Sequence, residues 1–160
     1  MAGTFGWREL NGASSTVSTP TDLNLGSDDS TDLVATTYPI TAGGNSYEKY
    51  VVGNFTGTFT KIDNIKFWKS AGAYVTGETM DWRGTTGAYT QPVNTTSAVA
   101  ITAIPTSEPA VANVGIGGAT TGNFSAAGTT NYIVMQSHVS TAASAGATNT
   151  KTFTFQYDEV

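Results

Sequence analysis

His138 is the single histidine of the chain, so any histidine-dependent triad or acid–base mechanism has to use it. It lies in the run Tyr132–Val139, where the two-residue period of a strand places it beside Gln136 on the more polar face. The sequence has no Gly-x-Ser-x-Gly turn of the kind that presents a nucleophilic serine. We therefore interpret His138 as a surface or hydrogen-bond-network residue.

Glu78 and Asp81 are the pair of carboxylates best suited to glycoside hydrolysis, because Trp82 and Arg83 follow them directly. A glycosidase needs two carboxyl groups about 5–10 Å apart, one of them with a raised pKa in an apolar setting. A loop held by ion pairs explains the same residues without catalysis. We predict no catalytic residue, no cofactor and no enzymatic activity.

A cluster of aspartates precedes the first long apolar run: Asp22, Asp28, Asp29 and Asp32. Calcium favours several carboxylate oxygens from one flexible loop, but this spacing does not match an EF-hand loop. Aspartates also cap backbone amides in turns, which is the interpretation that we prefer. We predict no metal site, and cation binding by this cluster is the alternative.

The chain of 160 residues has a net charge of −5, a pI near 4.5 and no cysteine. An acidic chain repels nucleic-acid phosphates, so we expect no nucleic-acid partner. Without cysteine there is no disulfide framework, no thiolate zinc site and no cysteine nucleophile. The longest apolar stretches are far shorter than the roughly 20 residues that cross a bilayer, so we expect no membrane span. The first residues lack the basic and apolar regions of a secretory leader, and we expect synthesis in a cytoplasm.

The elements that would position these residues are predicted to be strands. Runs of β-branched and aromatic residues, bounded by Gly, Asn, Ser or Pro, occur at Tyr50–Val52, Ile65–Trp68, Ala98–Ile104, Tyr132–Val139 and Thr152–Tyr157. This spacing is typical of an all-β, antiparallel sandwich of the jelly-roll or immunoglobulin-like kind, with little helix beyond a turn or two after Ser107. Residues 1–46 are predicted to be a turn-rich N-terminal arm with short strands, and residues 47–160 the sandwich domain.

Strand periodicity also predicts which side chains face the core. In the last run Phe153, Phe155 and Tyr157 share one face, which we expect to be buried. In the run Tyr132–Val139 apolar residues occupy both faces, so we expect both to be partly covered. The dipeptide Asn11-Gly12 predicts a two-residue hairpin turn, because both residues tolerate positive φ.

The remaining aromatic residues are candidates for a binding surface. Trp68, Tyr74, Trp82 and Tyr89 would form either a platform that stacks on sugar rings or part of the packed interior. Trp7, in the predicted arm, is the type of residue that anchors a protein interface. These five residues are the predicted interface.

Three segments resemble known structural proteins. Residues 50–57 (Tyr-Val-Val-Gly-Asn-Phe-Thr-Gly) and 62–70 (Ile-Asp-Asn-Ile-Lys-Phe-Trp-Lys-Ser) are similar to a recurrent pair of strands in small β-sandwich virion proteins of tailed bacteriophages. The ending Phe153–Glu159 resembles the closing strand of the same group. The likeness covers roughly residues 47–160, and its motifs are structural rather than catalytic.

The resemblance implies a head decoration, or cement, protein located in the virion. Its expected partners are the major capsid protein or other virion subunits, together with further copies of itself, whose edge strands can pair. Low charge and abundant threonine suit a surface that packs against protein. The alternative is a carbohydrate-binding or receptor-recognition domain of a tail fibre, which would use the aromatic residues above.

Overall fold

A computed structural model of the chain describes residues 3–96, 98–116, 122–143 and 149–160. These residues contain nine strands and no helix. The strands are β1 (Gly3–Asn11), β2 (Thr16–Ser18), β3 (Lys49–Gly57), β4 (Ile62–Ala71), β5 (Glu78–Thr85), β6 (Thr102–Ala103), β7 (Gly128–Thr129), β8 (Tyr132–Val139) and β9 (Thr152–Glu159). The all-β prediction is confirmed, whereas the helical turn expected after Ser107 is replaced by a bend. No helix among the described ranges is long and apolar enough to cross a membrane.

The strands form two antiparallel sheets that pack face to face as a β-sandwich. The larger sheet has seven strands in the order β2-β1-β3-β8-β5-β6, with β7 pairing to β3 as well. The smaller sheet consists of β4 and β9. We call the face of the larger sheet that meets β4 and β9 its inner face, and the opposite face its outer face.

The main core lies between the two sheets. Its buried members on the strands are Val51, Phe55, Ile62, Ile65, Phe67, Met80, Trp82, Ile133 and Met135. The aromatic side chains of β9, Phe153, Phe155 and Tyr157, pack against this core as strand periodicity predicts. Large apolar side chains supply most of the favourable free energy of such a core, because they remove the largest area from water.

A second, smaller core covers part of the outer face. It contains Leu10, Tyr50, Val52 and Val134 from the sheet and Ala100 from the irregular residues 86–101, which we call the covering segment. Ile133 faces the main core and Val134 this second one, which confirms that both faces of β8 are covered.

A carboxylate holds the covering segment in place. Oε1 of the buried Glu48 accepts hydrogen bonds from the backbone amides of Ala98, Val99 and Ala100, at 3.1, 2.7 and 2.8 Å. These three residues lie outside the strands, and the carboxylate is an acceptor for their successive N–H groups. Hydrogen bonds to an ionised group are the strong ones, and this contact fixes the cover over Tyr50 and Val134.

Residues 3–11 are an integral strand and not a separate arm. β1 pairs with β3 from Gly3↔Gly57 to Leu10↔Tyr50, and Phe5 and Trp7 pack against the main core. The alternation of Phe5, Trp7 and Glu9 on one face gives the strand its period of two. The hairpin predicted at Asn11-Gly12 exists, but its loop spans four residues, 12–15, with positive φ at both ends.

Two strands differ from the sequence prediction. β5 is a central strand where a loop was expected, with Met80 and Trp82 inward and Thr79 and Arg83 on the other face. The run Ala98–Ile104 forms a strand only over the two residues of β6. Ala100 and Ile104 are nevertheless buried. The apolar side chains of this run therefore cover the sheet, although most of the run does not pair with a strand.

A buried ion pair closes one end of the inner face. Lys49 Nζ lies 2.7 Å from Glu9 Oε1 and also donates to the carbonyl of Ser30 at 2.7 Å. Only 2% of the Lys49 side chain and none of the Glu9 side chain is exposed. The pair joins β1, β3 and the irregular residues 19–48, which cover this end with the buried Leu33.

Candidate functional site

His138 belongs to a hydrogen-bond network between β5, β8 and the segment before β3. Its Nδ1 lies 2.7 Å from Oδ1 of Asn45, and its Nε2 lies 3.1 Å from Oδ2 of Asp81. Asn45 in turn donates to the carbonyl of Thr95 at 3.0 Å. Both ring nitrogens therefore face protein groups, and the arrangement ties the covering segment to the sheet.

Glu78 and Asp81 do not converge on one site. β5 pairs with β8 without a register shift, so residues three apart on it point to opposite faces. Glu78 is buried and accepts from Lys151 Nζ at 2.7 Å and from the Val75 amide at 3.1 Å. Asp81 faces His138 on the outer side. The two carboxylates are therefore separated by the sheet, and each has a structural partner.

The acidic cluster caps backbone amides. Asp29 accepts a hydrogen bond from the Gly12 amide at 2.9 Å, and Asp32 accepts from Thr21 and Asp22 at 2.7 and 3.0 Å. The hydrogen bonds from the Asp22 and Thr21 amides lower the pKa of Asp32 below its ordinary value. Among the described residues, no three Asp, Glu or His side chains are grouped so that they would hold a metal ion.

The predicted interface residues are dispersed, and two of them are buried. Trp82 and Trp68 expose only 7% and 9% of their surface, and Trp82 packs beside Phe67 in the main core. Neither indole presents a face on which a sugar ring would stack. Tyr74 is half-buried between two ammonium groups, those of Lys69 at 4.7 Å and Lys151 at 5.6 Å from its ring centre. Its ring is therefore already engaged by cations of the same chain.

Tyr89 contributes to the second core. Its hydroxyl donates to the carbonyl of Gly12 at 3.1 Å and lies 3.4 Å from Oδ2 of Asp29, while its ring meets that of Tyr50 edge to face at 5.0 Å. Burial raises the pKa of Tyr89, and the nearby Asp29 carboxylate raises it further. Burial likewise raises the pKa of Tyr50 to about 12, with a smaller contribution from Glu48.

Because the pKa values of these tyrosines are raised in the folded state, we expect the free energy of unfolding to fall at alkaline pH. An unfolded tyrosine ionises near pH 10, but the folded state keeps Tyr50 protonated up to a pKa of about 12. The stabilisation is therefore complete below pH 10 and is lost as the pH rises from 10 to 12. We expect the urea midpoint to fall steeply in this range, and Tyr50→Phe to flatten that fall relative to Tyr47→Phe. Equal slopes in both variants would contradict the assignment.

Trp7 lies in a strip of half-buried aromatic rings at one side of the sandwich. We call this set, Phe5, Trp7, Phe155 and Tyr157, the aromatic strip. Phe5 stacks on Phe155 at 4.7 Å, and Trp7 meets Phe155 edge to face at 5.2 Å. Because Phe5 and Trp7 belong to β1 and Phe155 to β9, these contacts place the two strands one above the other. Partly exposed aromatic side chains of this kind are enriched at protein interfaces.

A shallow cleft, the Arg8 cleft, opens on the outer face beside this strip, and Phe5 and Trp7 contribute to its lining. Its lining includes Thr4, Gly6, Arg8, Asn54 and Thr56. Space above Gly6 is open, because a methyl group placed there would meet no atom within 4 Å. The Arg8 guanidinium donates to the Thr19 hydroxyl, and within the described ranges no carboxylate forms an ion pair with it.

No protein-family model, curated protein or solved structure matches this chain.

Proposed function

We propose that the chain is a non-enzymatic structural protein of a tailed-phage virion, and specifically a decoration protein that binds the capsid and stabilises it. The observation that carries this proposal is the placement of charge. The chain has 7 Lys and Arg and 12 Asp and Glu residues, and six of these side chains are buried: Glu9, Glu48, Lys49, Lys66, Lys69 and Glu78. The other 13 charged side chains, four basic and nine acidic, are few for a chain of 160 residues, although they keep its net charge at −5.

The surface also carries exposed apolar side chains. They include Val17, Val34, Val93, Ile101, Val111 and Val160, each with more than half of its surface in contact with solvent. A surface with exposed apolar side chains and few charges is buried between proteins at low cost, because few charged groups lose their hydration. Such a surface supports binding by protein contacts, as on a lattice.

A decoration protein acts by mass action. A subunit that binds only the assembled shell stabilises that shell in proportion to its occupancy. Many copies on one lattice need only modest affinity each when neighbours also contact one another. On this proposal the protein is made in the bacterial host cytoplasm and functions on the particle, with the major capsid protein as its main partner.

The test is the copy number of this chain in gradient-purified particles of its source phage, measured by quantitative mass spectrometry against the major capsid protein. We expect a fixed lattice ratio. Single substitutions to aspartate at Val17, Val93, Ile101 and Val111 then map the contact, since exposed positions tolerate them. At least one variant should no longer bind the particle, and the variants that still bind serve as controls. Absence of the chain, or only a few copies, would contradict a decoration role.

The second candidate is recognition of a carbohydrate receptor, and the Arg8 cleft favours it. An arginine without a carboxylate partner, next to hydroxyl and amide groups, suits a sugar that carries a carboxylate. Under this candidate the buried Trp68 and Trp82 have no part in binding.

Titration with glucuronic acid, followed by NMR, tests this candidate. The Cβ of Gly6→Val meets no atom within 4 Å, so the side chain should occupy the cleft and abolish shifts around Arg8. Gly87→Val, the same change at an exposed glycine of the covering segment, is the control and should leave them intact. If neither glucuronic acid nor neutral glucose shifts these residues, the candidate is rejected.

A further inference from the structure

Most sheet edges of this sandwich are short or covered. β2 and β6, at the ends of the larger sheet, have three and two residues. The outer edge of β4 is covered, because the side chain of Asn113 bonds both the N–H and the carbonyl of Phe67 at 2.8 Å and the Lys69 amide donates to Pro105 at 2.9 Å. Natural proteins protect edges in these ways, because an open edge pairs with other chains.

β9 is the exception. It has eight residues, and within the described part of the chain its one strand partner is β4. Edge strands usually carry a charge or a proline, but the residues from Thr152 to Tyr157 include neither. The strand alternates threonine or glutamine with the half-buried rings of Phe153, Phe155 and Tyr157. The edge is therefore without charge or proline from Thr152 to Tyr157, and it is bordered by apolar surface; the charges of the strand, Asp158 and Glu159, lie at its end.

The edge of the other sheet is open on the same side. β2 pairs only with the last three residues of β1, which leaves Gly3–Arg8 as the edge of the larger sheet. Phe5 stacks on Phe155, so this edge lies beneath β9. Among the described residues, β9 and the first part of β1 thus have no strand partner on this side of the sandwich. A partner that adds a strand to β9 would also cover the aromatic strip.

We infer that a second copy of this chain pairs with β9 through its own β9, in antiparallel orientation about a two-fold axis. Asp158 and Glu159 lie at one end of the strand. Parallel pairing would set these acidic residues side by side, whereas antiparallel pairing places them at opposite ends of the interface. A two-fold contact is also self-complementary, so one open edge serves both copies.

The two faces of the small sheet then restrict the register to steps of two residues. Directly opposed residues of an antiparallel pair lie on the same face, and the aromatic side chains must remain on the inner face. The centre of the eight residues lies between Phe155 and Gln156, and pairing these two would put an aromatic side chain opposite a polar one. We therefore infer the adjacent register, which places Phe155 opposite its own copy and Thr154 opposite Gln156 of the second copy. The two small sheets become one sheet of four strands, in the order β4-β9-β9-β4.

The test uses charges at the two opposed outer positions. Thr154 and Gln156 are half-exposed, and the Thr154 hydroxyl bonds that of Ser70 at 2.7 Å. The double variant Thr154→Lys with Gln156→Lys sets lysine against lysine across the axis. The matched variant Thr154→Lys with Gln156→Glu makes the same first change but sets lysine against glutamate. Sedimentation equilibrium of the full chain measures the dimer, and circular dichroism confirms that each variant is folded.

We expect the native chain to dimerise, the Lys/Lys variant to dimerise roughly tenfold or more weakly, and the Lys/Glu variant to recover. A monomeric native chain, or equal association of the two variants, would overturn the inference. The inference names one partner of the proposed virion protein but is measured on the purified chain. Absence from particles would therefore reject the proposed function alone, and a monomeric chain would reject only the β9 contact.

Discussion

Replacing Glu48 with alanine is expected to cost roughly 3 kcal/mol or more of folding free energy, because one carboxylate oxygen serves three backbone amides. The loss includes the strong hydrogen bonds to an ionised group and leaves the Ala100 amide buried without that acceptor. In a chain of this size the Tm should fall by on the order of 10 °C. Thermal unfolding followed by circular dichroism measures the shift.

Two further variants separate the carboxylate from a general effect of substitution. Glu48→Gln keeps an acceptor oxygen but not the charge, so its loss should be clearly smaller. Asp22→Asn removes an exposed charge and should leave the Tm unchanged. Hydrogen exchange gives the local readout: the amides of Val99 and Ala100 should exchange faster in Glu48→Ala even where the rest of the sheet is protected. Unchanged protection of these two amides would contradict the role of Glu48.

The strands that sequence reasoning found are those with β-branched and aromatic runs. β3, β4, β8 and β9 have such runs, and each lies next to the main core. Residues 1–46 are predicted to be an arm because their apolar residues occur in short pairs rather than in a sustained pattern, although Phe5 and Trp7 of β1 alternate correctly. A loop is predicted around Glu78 and Asp81 because surface carboxylates near an arginine form ion pairs, although charged residues alternate with Met80 and Trp82. That alternation is the sequence pattern of a strand with one buried face, which is what β5 is.

The buried charges were beyond prediction from the sequence. Glu48 and Lys49 are adjacent and look like ordinary surface residues, but strand alternation sends them to opposite faces. There each meets a distant segment: Glu48 the amides at 98–100, and Lys49 the carboxylate of Glu9. Each of these two partners is more than 30 residues away along the chain, so no local sequence pattern indicates the contact. The burial of the candidate binding residues Trp68 and Trp82 could not be predicted for the same reason, because it depends on which distant segments lie over them.

The open edge of β9 illustrates the opposite case. Its sequence, Thr-Phe-Thr-Phe-Gln-Tyr, predicts a strand with one apolar face, and the structure confirms both features. Whether a strand is central or at an edge depends on its neighbours, which are 80 or more residues away in β4. The missing charges in Thr152–Tyr157 become informative only when this position is known, because central strands need no such protection.

The ion pair of Glu9 and Lys49 provides the other large effect. Lys49→Met should destabilise the fold by about 3–5 kcal/mol, because it leaves the Glu9 carboxylate buried without its cation. Oε2 of Glu9 already has no hydrogen-bond partner among the described residues, so the remaining charge would be poorly satisfied. Urea unfolding at neutral pH measures the loss. The exposed pair of Lys61 and Asp63, at 2.6 Å, is the control, and Lys61→Met should cost less than about 1 kcal/mol.

The double variant Glu9→Leu with Lys49→Met completes the cycle. It removes both charges and replaces them with apolar side chains of similar size, so it should recover most of the stability that Lys49→Met loses. The hydrogen bond from Lys49 to Ser30 is lost in both variants and does not affect this difference. If the double variant is no more stable than Lys49→Met, the buried charge of Glu9 is not the cause, and the loss lies in the packing of the lysine stem between β3 and residues 19–48.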